Sequence, residues 1–423
     1  MKRTLPLWIL LLSLLCVLSA SAEEAPEITD QCTFTQSGKQ IRDVSHILDR
    51  DYGTYCTILS GRALEAESQG EDIGGIFIQF HDRTVACTLE ARVRGVWKKV
   101  ADCGDYLTEW FSVPMYTDAV RLVNTGRSRM FINEFYVYGY GVQPARAAKW
   151  HTGEKCDLML ISCHPDDEVL WFGGLLPTYA RERGYEVQVV VVVPSTPERR
   201  LELLDSLWHC GVTRYPRLLG IGDSHHGSLQ EQYRAWSKDS VCFSIVKSIR
   251  MFQPEVIVSH DLYGEYGHGA HMATGDCTRL AYHYSASPKK YANTAKEYGL
   301  WQAKKLYLHL YAENRIEMDW HQPLESFGGK DGYTVAAEAF QFHKSQLGAW
   351  TIHDGGKLSN AIFGLVYSEV GPDVEKNDLM ENTGCVPHPE NRFEPEKPIG
   401  LVEETAADED DVIHITLDSG GDS

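Results

Sequence analysis

Over the first third of the chain, apolar and polar residues alternate in short runs. Segments 76–80, 87–94, 96–103, 119–124 and 130–138 are β-rich stretches separated by Gly, Asp and Asn, which is the spacing of an antiparallel sandwich. An all-β sandwich or jelly-roll domain is therefore expected over 26–142, with a linker at Gly139-Tyr140-Gly141-Val142-Gln143-Pro144. The pattern then changes. Segments 157–162, 186–193 and 255–259 are continuous apolar runs, as strands buried on both faces require. Between them, 168–184, 199–210 and 241–252 have helical character and end at Gly184, Gly211 and Pro254. A weaker strand is read at 218–221. Strands alternating with helices predict an α/β domain with a parallel, doubly wound sheet over 150–372. Beyond Pro372 the periodicity is lost, and 373–423 reads as an acidic, disordered tail.

The two ends alter this picture. Lys2 and Arg3 precede an apolar run from Leu5 to Leu18, and Ala20-Ser21-Ala22 offers a small-residue cleavage site. This is the layout of a secretory signal peptide over 1–22. Secretion is expected, with no membrane span after cleavage. The formal net charge of −19 argues against nucleic acid as a partner. Part of that charge is local, because 401–423 holds eight acidic residues and no Lys or Arg. Of the eleven cysteines, ten remain once Cys16 leaves with the signal, an even count compatible with disulfides. Cys87 and Cys103 flank a hairpin turning near Arg94-Gly95, so a cross-strand bridge is expected there.

Candidate chemistry sits just after two of the predicted strands. The first runs into His164-Pro165-Asp166-Asp167-Glu168, and the third into His260-Asp261 and Gly264-Glu265-Tyr266-Gly267-His268-Gly269-Ala270-His271. Sites on open α/β sheets form outside the carboxyl ends of the strands. A catalytic metal needs about three protein ligands and an open position. His164, Asp167 and His271 can supply two imidazoles and a carboxylate, a set that suits Zn²⁺ and that Fe²⁺ also accepts. Asp166 is left over as a candidate base. Asp223-Ser224-His225-His226 reads as a solvated loop, with a cleft or second-metal role as the alternative. Cys163 reads as a small buried strand residue rather than a ligand.

The two motifs together resemble the motif pair of PIG-L (LmbE-like) deacetylases, and Arg199-Arg200-Leu201-Glu202-Leu203 and His343-Lys344-Ser345-Gln346 resemble two further segments of that family. The resemblance covers about 155–368. It implies a Rossmann-like fold and zinc-dependent removal of acetyl groups from N-acetylated sugars such as N-acetylglucosamine. It also implies His164, Asp167 and His271 as metal ligands, Asp166 as general base and His268 as oxyanion stabiliser, with Tyr266 contacting the intermediate and Arg199 binding substrate. The family commonly reads His-Pro-Asp-His where this chain has His268-Gly269-Ala270-His271, so the carboxylate that would tune His268 is missing. The returning proton is assigned to Asp166 or His268. Trp171, Trp301 and Trp320 are candidates for stacking on a sugar, with core packing as the alternative.

Near the N-terminus, Leu48-Asp49-Arg50-Asp51-Tyr52-Gly53-Thr54-Tyr55 resembles the early motif of discoidin-like (galactose-binding-like) jelly rolls. This implies glycan or surface contact, with a spacer role equally open. No HPDDE-like cluster precedes Trp150, so the N-terminal domain is expected to be dispensable for chemistry. Two rivals to a deacetylase stand: a glycan-binding surface protein with an inactive deacetylase-like domain, and an amidase on a non-sugar amide.

Overall fold

The computed structural model describes residues 23–41, 44–371 and 376–388. The expected signal at 1–22 and the acidic run at 401–423 lie outside the described residues. Among the described residues, no helix is long and apolar enough to cross a membrane.

The N-terminal region is all-β, built from two antiparallel sheets of six and four strands. Leu64, Ala66, Leu89, Ala91, Val120 and Leu122 of the larger sheet are buried in one cluster with Ile76, Ile78, Ile132, Phe135 and Val137 of the smaller. Every second residue of these strands is apolar and turned inward, which is why alternation located five of the strands. Cys32–Gln36, Lys39–Gln40, Cys56–Ile58, Ala63–Ser68 and Thr108–Ser112 were not read from the sequence. Cys87 and Cys103 stand opposite each other in the hairpin register, both buried, and both are present as thiols.

The second region is a seven-stranded sheet. Its strands are β1 (Leu158–Ser162), β2 (Val187–Val191), β3 (Arg217–Leu218), β4 (Val256–Ser259), β5 (Lys305–His309), β6 (Arg315–Glu317) and β7 (Ile362–Ser368), in the spatial order β3-β2-β1-β4-β5-β7-β6. The first five are parallel, while β7 runs antiparallel between β5 and β6. The chain leaves β1 for β2 and β3 on one side and returns to β4 and β5 on the other. The gap between the β1 and β4 carboxyl ends is thus the point where the strand order reverses.

Three sequence expectations need correction. The helix expected over 168–184 is broken: Asp167–Leu170 is a short α-helix and Pro177–Glu182 is π-helical. Between them Gly173 adopts φ +51°, and a Cβ there would lie 2.6 Å from Asn360 Cγ. The chain must turn where Asn360 packs against its backbone. Within the tail expected from 373, residues 376–388 are packed: Leu379, Met380 and Thr383 are buried and Tyr179 donates to Asp378 Oδ1 at 2.7 Å. The expected linker is not a loose tether either. Ala25 N–H donates to Val142 O at 2.8 Å, and Trp110 N–H donates to Ala148 O at 2.7 Å.

The two regions share a packed boundary. Trp150 is edge-on to Trp208 and Tyr215, with ring centroids 5.4 and 5.6 Å away, and its indole donates to Thr108 Oγ1 at 2.9 Å. Tyr52 of the β-region donates to Asp205 Oδ2 at 2.5 Å, and Lys344 Nζ donates to Arg50 O at 2.9 Å.

Candidate metal centre and cleft

The turn after β1 is held in an unusual backbone state. Asp166 has φ 111°, a conformation that costs a non-glycine residue roughly 1–3 kcal/mol. Glu168 secures it. Its Oε2 accepts from Asp166 N–H at 2.8 Å, while Oε1 meets Ser206 Oγ at 2.8 Å and His343 Nε2 at 2.7 Å. The last residue of HPDDE is therefore fastened to the first residue of His343-Lys344-Ser345-Gln346. Glu202 holds Ser345, accepting from its N–H at 2.8 Å and its hydroxyl at 2.6 Å.

Within this turn the donor atoms converge. His164 Nδ1 lies 3.2 Å from His271 Nε2 and 3.2 Å from Asp167 Oδ2, and His271 Nε2 lies 3.3 Å from Asp167 Oδ2. Ligands about 2.0–2.1 Å from a tetrahedral Zn²⁺ stand roughly 3.3–3.4 Å apart, so the triangle has the size such an ion requires. Cys163 Sγ belongs to the same cluster but sits 3.7 Å from the other ring nitrogen of His164. Asp167 is oriented twice over: Oδ2 accepts from His164 N–H at 2.7 Å and Oδ1 from the Trp171 indole at 2.8 Å.

The charges interact strongly. Burial would raise Asp167, but the rings of His271 and His164 hold it well below the usual carboxylate range. Burial would lower His271, but Asp167 and Glu265 outweigh it and lift the ring to about 10. Burial lifts the Asp166 carboxyl to about 7, with Asp167 pushing the same way and Arg199 opposing. Burial, then His271 and His164, push His268 down to about 3. The His268 ring thus holds a proton weakly beside the triangle. Its buried Nδ1 has no hydrogen-bond partner among the described residues.

All seven residues singled out from the sequence meet at one place. His164, Asp166, Asp167, Arg199, Tyr266 and His268 line a single cleft. His271, buried beneath it, has its ring centroid 4.6 Å from that of His268. Arg199 is partly engaged, donating to Asp166 Oδ1 at 2.9 Å and to Pro165 O. The loop read as solvated enters the cleft: Asp223 and His225 line it, and the His225 ring lies 4.6 Å from His268. Of the three tryptophan candidates only Trp171 lines it. Trp320 is buried, and Trp301 donates to Pro254 O at 2.7 Å. Trp171 is 1% exposed and acts through Asp167. Trp350, with its centroid 4.4 Å from that of half-exposed Tyr266, is the accessible indole at the cleft. Gln346, the last residue of the His343-Lys344-Ser345-Gln346 segment, was given no role, and Trp350 was missed because no motif marks it.

Comparison with known proteins points the same way. Residues 159–282, which carry all seven of these positions, match the family model described as PIG-L: GlcNAc-PI de-N-acetylase. The match supports a deacetylase domain of that type in this part of the chain. A 1D-myo-inositol 2-acetamido-2-deoxy-alpha-D-glucopyranoside deacetylase of Frankia casuarinae is 27% identical over 221 residues, covering 44% of this chain and 67% of the relative. A protein of the same description from Frankia alni is 31% identical over 178 residues, covering 35% of this chain and 60% of the relative. The matched part spans about two thirds or less of these curated relatives. Among solved structures, N,N'-diacetylchitobiose deacetylase from Pyrococcus horikoshii is 21% identical with a TM-score of 0.34, covering 45% of this chain and 70% of that one. A family 32 CBM from C. perfringens NanJ is 16% identical with a TM-score of 0.24, covering 27% of this chain and 98% of that one.

Proposed function

We propose that this chain is a secreted, metal-dependent N-deacetylase that hydrolyses the N-acetyl amide of an amino sugar or glycan and releases acetate. The observation that carries the reading is the donor triangle of His164, Asp167 and His271 with Asp166 beside it on the cleft wall. These residues fit Zn²⁺, and Fe²⁺ accepts the same donors. When bound, such an ion supplies Lewis-acid chemistry, acidifying water and polarising the amide carbonyl.

The remaining work falls to the protein. Asp166 takes the proton of the attacking water as general base, and its raised affinity for a proton suits that role. Arg199, paired with Asp166, fixes the carboxylate and reaches toward substrate. His268, on the cleft wall, donates a ring N–H to the carbonyl oxygen as charge develops there; a neutral ring does this as a hydrogen-bond donor. Tyr266, beside Trp350, contacts the intermediate from the cleft rim. Asp166 is the better placed of the two groups to return the proton to the leaving amine, because His268 holds a proton weakly. The discoidin-like region would hold the glycan or the surface that carries it.

Metal analysis of the purified protein, with an acetate-release screen over N-acetyl sugars before and after chelation, tests the reading. Stoichiometric Zn²⁺ and chelator-sensitive acetate release are expected. Release that survives complete metal removal would defeat it.

A further inference from the structure

We propose that Glu265, on the loop before the helix Gly269–Ser285, is a positioning residue that aims His271 at the metal centre, with His260 and His309 holding Glu265 in turn. This deepens the metal-centre reading above and rests on it.

The Glu265 side chain is wholly shielded from solvent, and its carboxylate faces four partners. Oε2 lies 2.7 Å from His271 Nδ1. Oε1 accepts from Asp261 N–H at 3.1 Å and lies 3.1 Å from His260 Nδ1 and 3.0 Å from His309 Nδ1. The hydrogens on these rings follow from their other contacts. His260 Nε2 accepts from Cys163 N–H at 2.9 Å, so its proton sits on Nδ1 and points to Glu265. His309 Nε2 lies 2.9 Å from Ser359 O, a carbonyl that can only accept. Both His309 nitrogens face acceptors, which pins the ring against Oε1 from β5. With three groups on Oε1, the fourth contact fixes His271: its Nδ1 meets Oε2, and its Nε2 is turned into the triangle with His164 and Asp167.

A buried carboxylate at a metal-binding imidazole sets the ring's tautomer and orientation and strengthens its donation. The sequence explains why it comes from this side. Ala270 offers no carboxylate on the helix, whereas Gly264 at φ +74° and Glu265 at φ +53° bend the preceding loop back beneath His271. The carboxylate therefore serves His271 rather than His268, whose Nδ1 stays unpartnered.

The test is Zn²⁺ affinity of the full chain, measured by competition with a chromophoric chelator, for wild type, Glu265→Gln and Tyr179→Phe. The last removes a buried hydroxyl bonded to Asp378 and serves as a stability control. Glu265→Gln is expected to weaken Zn²⁺ by about 10- to 100-fold and to change the visible spectrum of the Co²⁺-loaded protein. Tyr179→Phe should lower the apo-protein Tm and leave affinity unchanged. If Glu265→Gln does not fold, His309→Asn should show a smaller loss in the same direction. Wild-type affinity in a folded Glu265→Gln, or in His309→Asn where that variant stands in, overturns the proposal alone. A wild-type protein that takes up no metal overturns the metal-centre reading and this proposal together.

Discussion

At the scale of single residues, base and ligand are neighbours in the chain with different tasks, and substitution separates them. Asp166→Asn keeps the shape but cannot take a proton, so metal content should hold while kcat falls by about 10²–10⁴. Wild-type turnover in that variant would make Asp166 structural. His271→Ala removes one corner of the donor triangle; bound metal, measured after dialysis, and acetate release should disappear together. Stoichiometric metal with full turnover would show that the triangle is not the site. These residues were legible because strand ends mark them: an apolar run followed by His-Pro-Asp-Asp-Glu needs no third dimension to attract notice. Glu265 and Asp223 stood within candidate loops without a ligand role, and Trp350 carried no mark. The four partners of Glu265 are brought together by β5, the Gly269–Ser285 helix and the turn after β4. The weak hold of His268 on a proton was not legible either, because it depends on burial and then on the rings of His271 and His164, which only the fold places there.

At the scale of elements, periodicity found strands and helices where one face is apolar and failed where packing overrides the period. Segment 168–184 has helical composition, yet the contact of Asn360 with Gly173 breaks it. Gly173→Ala must place a side chain at positive φ and against Asn360, so a loss of about 1–3 kcal/mol is expected. Urea unfolding at constant m-value measures it; a change within 0.5 kcal/mol, about the scatter of surface substitutions, would show that the turn relaxes freely. Strands β5, β6 and β7 were not read from the sequence. β7 is antiparallel and joins β5 to β6, a relation between distant segments that no local pattern encodes. The same holds for residues 376–388, which lack periodicity because they pack as irregular chain on Tyr179 and Lys305.

At the scale of the whole molecule, the boundary between the two regions changes what the N-terminal region is for. The absence of a second HPDDE-like cluster suggested that it is dispensable for chemistry. The boundary argues otherwise: a chain starting at Ala145 would strip Thr108 from Trp150 and Tyr106 and Leu107 from Tyr215, and leave Asp205 and Lys344 without Tyr52 and Arg50. Such a chain is expected to aggregate or to melt well below the full protein, by light scattering and calorimetry. A soluble, fully active fragment would restore the spacer view. The boundary should also respond to pH. Burial pushes the Asp205 carboxyl up to about 6, with Tyr52 and Lys344 pulling the other way. A carboxyl whose folded pKa exceeds its unfolded value costs stability as pH rises: the folded state keeps its full advantage below about 4 and loses it through 6. Asp205→Asn keeps an acceptor for Tyr52 without the charge. Its gain over wild type should be small near pH 4 and on the order of 2–3 kcal/mol above pH 7. A gain that does not vary with pH would remove Asp205 as the cause. Finally, β7 is the last strand of the sheet and is inserted between two strands that precede it by some fifty residues. Ser359, which receives His309, belongs to the segment leading into it. The scaffold around the triangle therefore cannot close until β7 has been made. Contacts of such long sequence separation form late and slowly, so metal-binding competence arrives late in folding, after the sheet's parallel strands are already in place to receive β7.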